Sequence, residues 1–140
     1  MATILVVDDE GAIRTLVSML LKSAGHEVLA AANGLEGVAL FRSFRSSIDL
    51  VITDLVMPVI DGYELVRLIR CDRPEARIIC ITGFGGEGCP EGTTLLRKPF
   101  LPKHLLEAVR RLLPPGPRRS SLRGPRSVRS PRSDALRRRP

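Results

Sequence analysis

Short apolar runs, each closed by a polar residue, alternate with stretches of helical spacing through the first 113 residues. Ile4-Leu5-Val6-Val7 stops at Asp8, Leu50-Val51-Ile52-Thr53 at Asp54, and Ile78-Ile79-Cys80-Ile81 at Thr82. Strands that are apolar along their whole length must be covered on both faces. A parallel sheet with crossover helices on either side does this, so the chain reads as α/β and doubly wound.

Strands are predicted at Thr3–Val7, Glu27–Ala31, Leu50–Thr53, Arg77–Ile81 and Thr93–Arg97. The first helix carries Ile13, Leu16, Val17, Leu20, Leu21 and Ala24 at helical spacing, and Gly25 supplies its stop. Asn33 is a good N-cap with Glu36 three residues on, and the helix it opens is expected to bury Leu40, Phe41 and Phe44. Asp61 and Glu64 repeat the signal before Leu65, Leu68 and Ile69. The last helix starts near Pro102 and buries Leu105, Leu106, Val109, Leu112 and Leu113. Leu101, at its cap position, has no acceptor, so that end is expected to fray. Between the fourth and fifth strands, residues 83–92 hold five glycines and Pro90. Such a stretch has poor helix propensity, which predicts a fourth helix that is short, distorted or absent.

A length of 140 residues suits one domain. No apolar run approaches the roughly 18–20 residues of a membrane span, and the N-terminus lacks the pattern of a signal peptide, so cytoplasmic residence is expected. Cys71, Cys80 and Cys89 fit neither a disulfide framework nor a zinc site and read as reduced thiols. The net charge of +7 is uneven. Residues 114–140 hold nine of the 22 basic residues and one of the 15 acidic ones, so this segment carries +8 and the remainder −1. The segment is rich in Arg, Pro and Ser, with four scattered apolar residues that cannot offset the entropy of ordering it. The expected organisation is a folded domain over 1–113 and a disordered basic tail over 114–140.

Five polar residues stand at strand ends in this apolar sheet: Asp8 and Asp9, Asp54, Thr82 and Lys98. The carboxyl ends of strands form the ligand crevice of an open parallel sheet. With strand order 2-1-3-4-5, Asp8, Asp9 and Asp54 come together. Carboxylates so close stay ionised only beside a compensating cation, and Mg²⁺, which takes oxygen ligands, is the natural one. Lys98 adds a fixed positive charge and Thr82 a hydroxyl donor. Transfer of a phosphoryl group to a carboxylate needs this set, with Asp54 as nucleophile and cations over the equatorial oxygens. Taken singly, Asp8 and Asp9 could merely cap a helix, Asp54 could be a turn residue and Lys98 a solvated strand end. Their coincidence at four strand ends favours the functional reading.

Val7-Asp8-Asp9-Glu10, Asp54-Leu55-Val56-Met57-Pro58 with Asp61-Gly62, Ile81-Thr82-Gly83 and Lys98-Pro99-Phe100 together resemble the receiver domain of bacterial two-component response regulators, of the stand-alone, chemotaxis-regulator-like type. The resemblance covers residues 3–113. It implies a flavodoxin-like fold and a phosphorelay role in signal transduction. It implies Asp54 as phosphoacceptor, Thr82 bonding a phosphoryl oxygen and Lys98 pairing with the phosphate. It implies Mg²⁺ held by Asp9, Asp54 and the Val56 backbone carbonyl, with Asp8 acting mainly through water. The Lys98–Pro99 bond matches a family site that is usually cis. The implied partners are a sensor histidine kinase or a histidine phosphotransfer protein, and an unknown downstream protein target. The protein would then be a phosphoacceptor switch that promotes its own phosphorylation and dephosphorylation, rather than an enzyme acting on other substrates.

Three positions depart from the family pattern. Leu95 replaces a usually aromatic residue that turns inward with Thr82, the Gly-rich segment replaces much of the fourth helix, and Val56 cannot orient a hydrolytic water. They favour, as the alternative, a receiver-fold binding module with altered or lost switching. In that version the basic tail makes weak nonspecific contacts with nucleic acid or an anionic membrane. A phosphatase of the haloacid dehalogenase type is disfavoured, since it needs a second Asp where Val56 stands. No room for a DNA-binding output domain is expected after residue 113. His26 and His104 read as surface residues without partners.

Overall fold

The computed structural model describes residues 1–83 and 89–113. Its strands grow from the apolar runs. β1 (Thr3–Val7) pairs in parallel with β2 (Glu27–Ala31) on one side and β3 (Leu50–Asp54) on the other. β3 pairs with β4 (Ile78–Thr82), and β4 with β5 (Thr94–Arg97), giving the order β2-β1-β3-β4-β5. The helices are α1 (Gly11–Ser23), α2 (Gly34–Ser43), α3 (Gly62–Asp72) and α4 (Pro102–Leu112). This is the expected doubly wound, flavodoxin-like sheet, with β1 and β3 on either side of the point where the winding reverses.

Side chains alternate across each strand, so one run of apolar residues feeds two cores. Leu5, Val7, Val51 and Cys80 join Phe41 of α2 and Leu65, Val66 and Ile69 of α3 on one face. Ile4, Val6, Ile52, Ile79 and Ile81 join Val17 and Leu21 of α1 and Leu105 and Val109 of α4 on the other. Burying a side chain of this size contributes about 1.5–3 kcal/mol, which makes the sheet a rigid platform for its strand ends. Leu16, placed on the inward stripe of the first helix, is instead exposed, as is Met19; Val17 and Leu21 carry that contact. Leu40 and Leu68 are half-buried at the flanks of their helices.

The caps form as their sequences predict. Asn33 accepts the Glu36 N–H at 2.8 Å and Glu36 accepts the Ala32 N–H at 2.7 Å, while Asp61 accepts the Glu64 N–H at 2.9 Å. Gly25 takes the left-handed φ of 94° after α1. Both histidines have partners, contrary to expectation. His26 Nδ1 accepts the Ala2 N–H at 3.1 Å, and His104 Nδ1 reaches back to the Leu101 N–H at 3.4 Å, giving α4 half of a capping box.

Boundaries shift by one residue at β3, β4 and β5. Asp54 and Thr82 stay in the ladder because backbone pairing is indifferent to a polar side chain at a strand end. Thr93 falls outside β5 because its N–H and hydroxyl both bond the Pro90 carbonyl and close a turn. The β4–β5 crossover has no helix among its described residues. The rest of that expectation falls on residues 84–88, and the tail expectation on 114–140, both outside the described residues. Among the described residues, no helix is long and apolar enough to cross a membrane.

Candidate functional site

Asp54 ends the central strand β3, level with Ile81 of β4, and is 5% exposed. Its position is fixed from below by the sheet and from the side by Gly62, the first residue of α3. A Cβ on Gly62 would sit 2.2 Å from the Asp54 carbonyl oxygen, so only glycine lets the helix start this close to the strand end. The Gly62 N–H donates to the Leu55 carbonyl at 2.9 Å and ties the two elements together. The Val56 N–H then donates to Asp54 Oδ1 at 3.1 Å, leaving Oδ2 to face Lys98.

Lys98 follows β5 directly. Its backbone N–H donates to the Thr82 carbonyl at 2.7 Å, and its bond to Pro99 is cis, as the resemblance implied. The ammonium reaches across the strand ends to Glu10 at 2.9 Å, Asp54 at 3.2 Å and Asp8 at 3.8 Å. Asp8 follows β1 and is 2% exposed; its Oδ1 accepts the Glu10 N–H at 2.9 Å. Arg14 of α1 donates to the Asp8 carbonyl at 2.8 Å and holds the turn.

The electrostatics follow from this geometry. Burial pushes the Asp8 carboxyl up to about 6, helped by the neighbouring Asp54 and Glu10 charges and opposed by the Glu10 N–H and Lys98. Burial acts to lower the Lys98 ammonium, but the Glu10 bond and the Asp8 and Asp54 charges outweigh it, and its pKa stands above the usual value. One cation therefore serves three carboxylates. Oxygens of Asp8, Glu10 and Asp54 lie within 4.8 Å of one another, an all-oxygen set that fits a hard divalent ion such as Mg²⁺.

Thr82 ends β4, is 1% exposed, and its buried hydroxyl has no hydrogen-bond partner among the described residues. Buried polar groups are almost always paired, and the Ser18 hydroxyl is a second exception. The fold thus brings Asp8, Asp54 and Lys98 together and sets Thr82 on the adjoining strand end. Asp9 is exposed and is not one of the three clustered carboxylates; Glu10 is. Val56 is exposed, two residues beyond Asp54. Sequence reasoning missed Glu10 and Arg14, although the Asp-Asp-Glu run at a helix start offered the signal for the first.

Known proteins resemble this chain in sequence and in fold. The model of the response regulator receiver domain matches residues 4–110. The chain is 32% identical over 118 residues to the sensor kinase CckA of Brucella abortus, covering 80% of this chain and 12% of that one. It is 38% identical over 116 residues to the transcriptional regulatory protein ResD of Bacillus subtilis, covering 79% of this chain and 47% of that one. It thus spans less than half the length of these curated relatives. A receiver domain protein from Clostridium thermocellum superposes with a TM-score of 0.76 at 36% identity, over 80% of this chain and 94% of that one. The Vibrio cholerae chemotaxis protein CheY4 does so with a TM-score of 0.71 at 35% identity, over 81% of this chain and 99% of that one. The family match over residues 4–110 and the close superposition on solved receiver domains converge, and the chain belongs to the response regulator receiver domain family of two-component systems.

Proposed function

We propose that the protein is a single-domain response regulator that accepts a phosphoryl group on Asp54 from a partner histidine and signals by protein contacts. The observation that carries this reading is the Asp54 carboxylate, buried at the end of the central strand and 3.2 Å from the Lys98 ammonium. A carboxylate oxygen attacks the phosphorus of a phosphohistidine on a sensor kinase or phosphotransfer protein. The new P–O bond forms as the P–N bond breaks, and the imidazole leaves with the electron pair and takes a proton from solvent. Lys98 and the Thr82 hydroxyl meet the phosphoryl oxygens, where charge is spread in the transition state.

The proposed donors for Mg²⁺ are Asp54, the Val56 carbonyl and Asp9, whose exposed carboxylate stands outside the three clustered ones and would have to turn inward, with Asp8 acting mainly through water. The ion supplies neutralisation of the phosphoryl oxygens and of the crowded carboxylates. Lys98 and the Val56 N–H orient Asp54 without it.

Incubation with acetyl phosphate and Mg²⁺ tests the assignment by mass. Wild type is expected to gain one phosphoryl group and Asp54→Asn none. Equal labelling of the two, or no labelling of either, would sink it.

Leu95 favours a second reading, a binding module with altered switching. It lies on β5 opposite Cys80 and packs into the apolar core with Leu65 and Cys80, where the family usually carries an aromatic residue. Amide shifts of β4 and β5 that stay unmoved by beryllofluoride bound at Asp54 would favour this reading. The basic tail belongs to either version as a weak, salt-sensitive contact with nucleic acid or anionic lipid.

A further inference from the structure

The shortest contact of the Lys98 ammonium is with Glu10, at 2.9 Å, against 3.2 Å to Asp54 and 3.8 Å to Asp8. Glu10 stands at the N-cap of α1, yet its side chain caps nothing there. Its backbone is fixed, since its N–H donates to Asp8 Oδ1 and its carbonyl accepts the Arg14 N–H at 2.9 Å. Its carboxylate instead leans over the strand ends while remaining 60% exposed. A lysine has three donors and no acceptor, so every carboxylate it serves competes with any anion that enters.

We propose that Glu10 is a positioning residue, which holds Lys98 at the rim of the pocket in the unmodified protein and must release it when a phosphoryl group occupies Asp54. This rests on Asp54 as the acceptor. Asp54 and Glu10 divide the ammonium between a buried and an exposed partner. A phosphoryl group brings two negative charges and three acceptor oxygens to the buried side, where the Lys98 ammonium already stands 3.2 Å from Asp54. The Glu10 bond is then the contact that breaks, because it is the exposed one and water replaces Lys98 at little cost. Glu10 thereby sets how readily the pocket takes an anion, and it also repels that anion from the rim.

The test uses Glu10→Gln in the full chain, which keeps size and hydrogen-bonding capacity while removing the charge. Without metal or anion, the Lys98 ammonium ¹⁵N shift at fixed pH is expected to differ between wild type and variant, because the charge at its shortest contact is lost. In Mg²⁺, beryllofluoride is expected to bind the variant two- to fivefold more tightly, the size that an exposed ion pair supports. An unmoved Lys98 ¹⁵N shift would overturn the proposal. So would weaker binding of Mg²⁺ alone to the variant, which would make Glu10 a metal ligand. Equal beryllofluoride affinity in the two proteins overturns the proposal alone. Failure of wild type to bind beryllofluoride at all overturns the acceptor reading and this proposal with it.

Discussion

Val59 holds its backbone at φ 69°, in the left-handed region, two residues before the Asp61 cap. A β-branched side chain meets its own backbone there, at a cost of roughly 1–2 kcal/mol. Its side chain is 87% exposed, so packing returns almost nothing. Asparagine tolerates this conformation because its short polar chain bonds locally. Val59→Asn is therefore expected to raise stability by about 0.5–1.5 kcal/mol, read as a higher urea midpoint at unchanged slope. A lower midpoint would show that the valine makes a contact outweighing the strain. Single residues were the least legible part of the sequence. Val59 is an ordinary letter whose strain exists only in the loop. His26 gave no sign that its ring would accept a backbone N–H, and burial beside the N-terminus lowers its pKa. Glu10 could be read as an acid at a helix start but not as a partner of Lys98, which lies 88 residues along the chain.

Elements were legible where local chemistry decides them. The Asn33 and Asp61 caps form because acceptor and N–H lie within one turn, and the strands form because wholly apolar runs need covering on both faces. Strand ends shifted because the letters mark polarity while the ladder follows backbone pairing, as at Thr93. The junction of β3 and α3 couples these levels. Asp61→Ala removes a cap and is expected to cost about 1 kcal/mol without touching Asp54. Gly62→Ala forces a methyl against the Asp54 carbonyl and the Leu55 backbone, and overpacking of this kind costs about 1–3 kcal/mol. Because the displaced atoms carry Asp54, the proposed acceptor, acetyl phosphate labelling should slow in Gly62→Ala and stay normal in Asp61→Ala. Equal labelling rates in both variants would show that the junction does not position the acceptor.

At the scale of the whole molecule, two apolar faces support one crowded, charged end of the sheet, and the crowding opposes folding. Asp8 shows it most plainly, its carboxyl pushed from 3.8 up to about 6 chiefly by burial. Between those values the folded state binds more protons than the unfolded one. Metal-free stability therefore falls as pH rises through that window and stays low above it. A shift of this size corresponds to about 1–2 kcal/mol once solvent at the pocket mouth is allowed for. Asn at position 8 keeps an acceptor for the Glu10 N–H but carries no charge. In EDTA at about pH 7.5, Asp8→Asn is expected to be more stable than wild type by about 1–2 kcal/mol, a gap that closes towards about pH 4. Mg²⁺ at about a hundred times its Kd should raise wild type by about 2.7 kcal/mol and the variant by less, reversing the order. The gain should shrink below about pH 6, where protons compete for the same carboxylate. A wild type more stable than Asp8→Asn in EDTA across this range would show that the strand-end charges cost the fold nothing, and the need for a cation there would lose its physical basis.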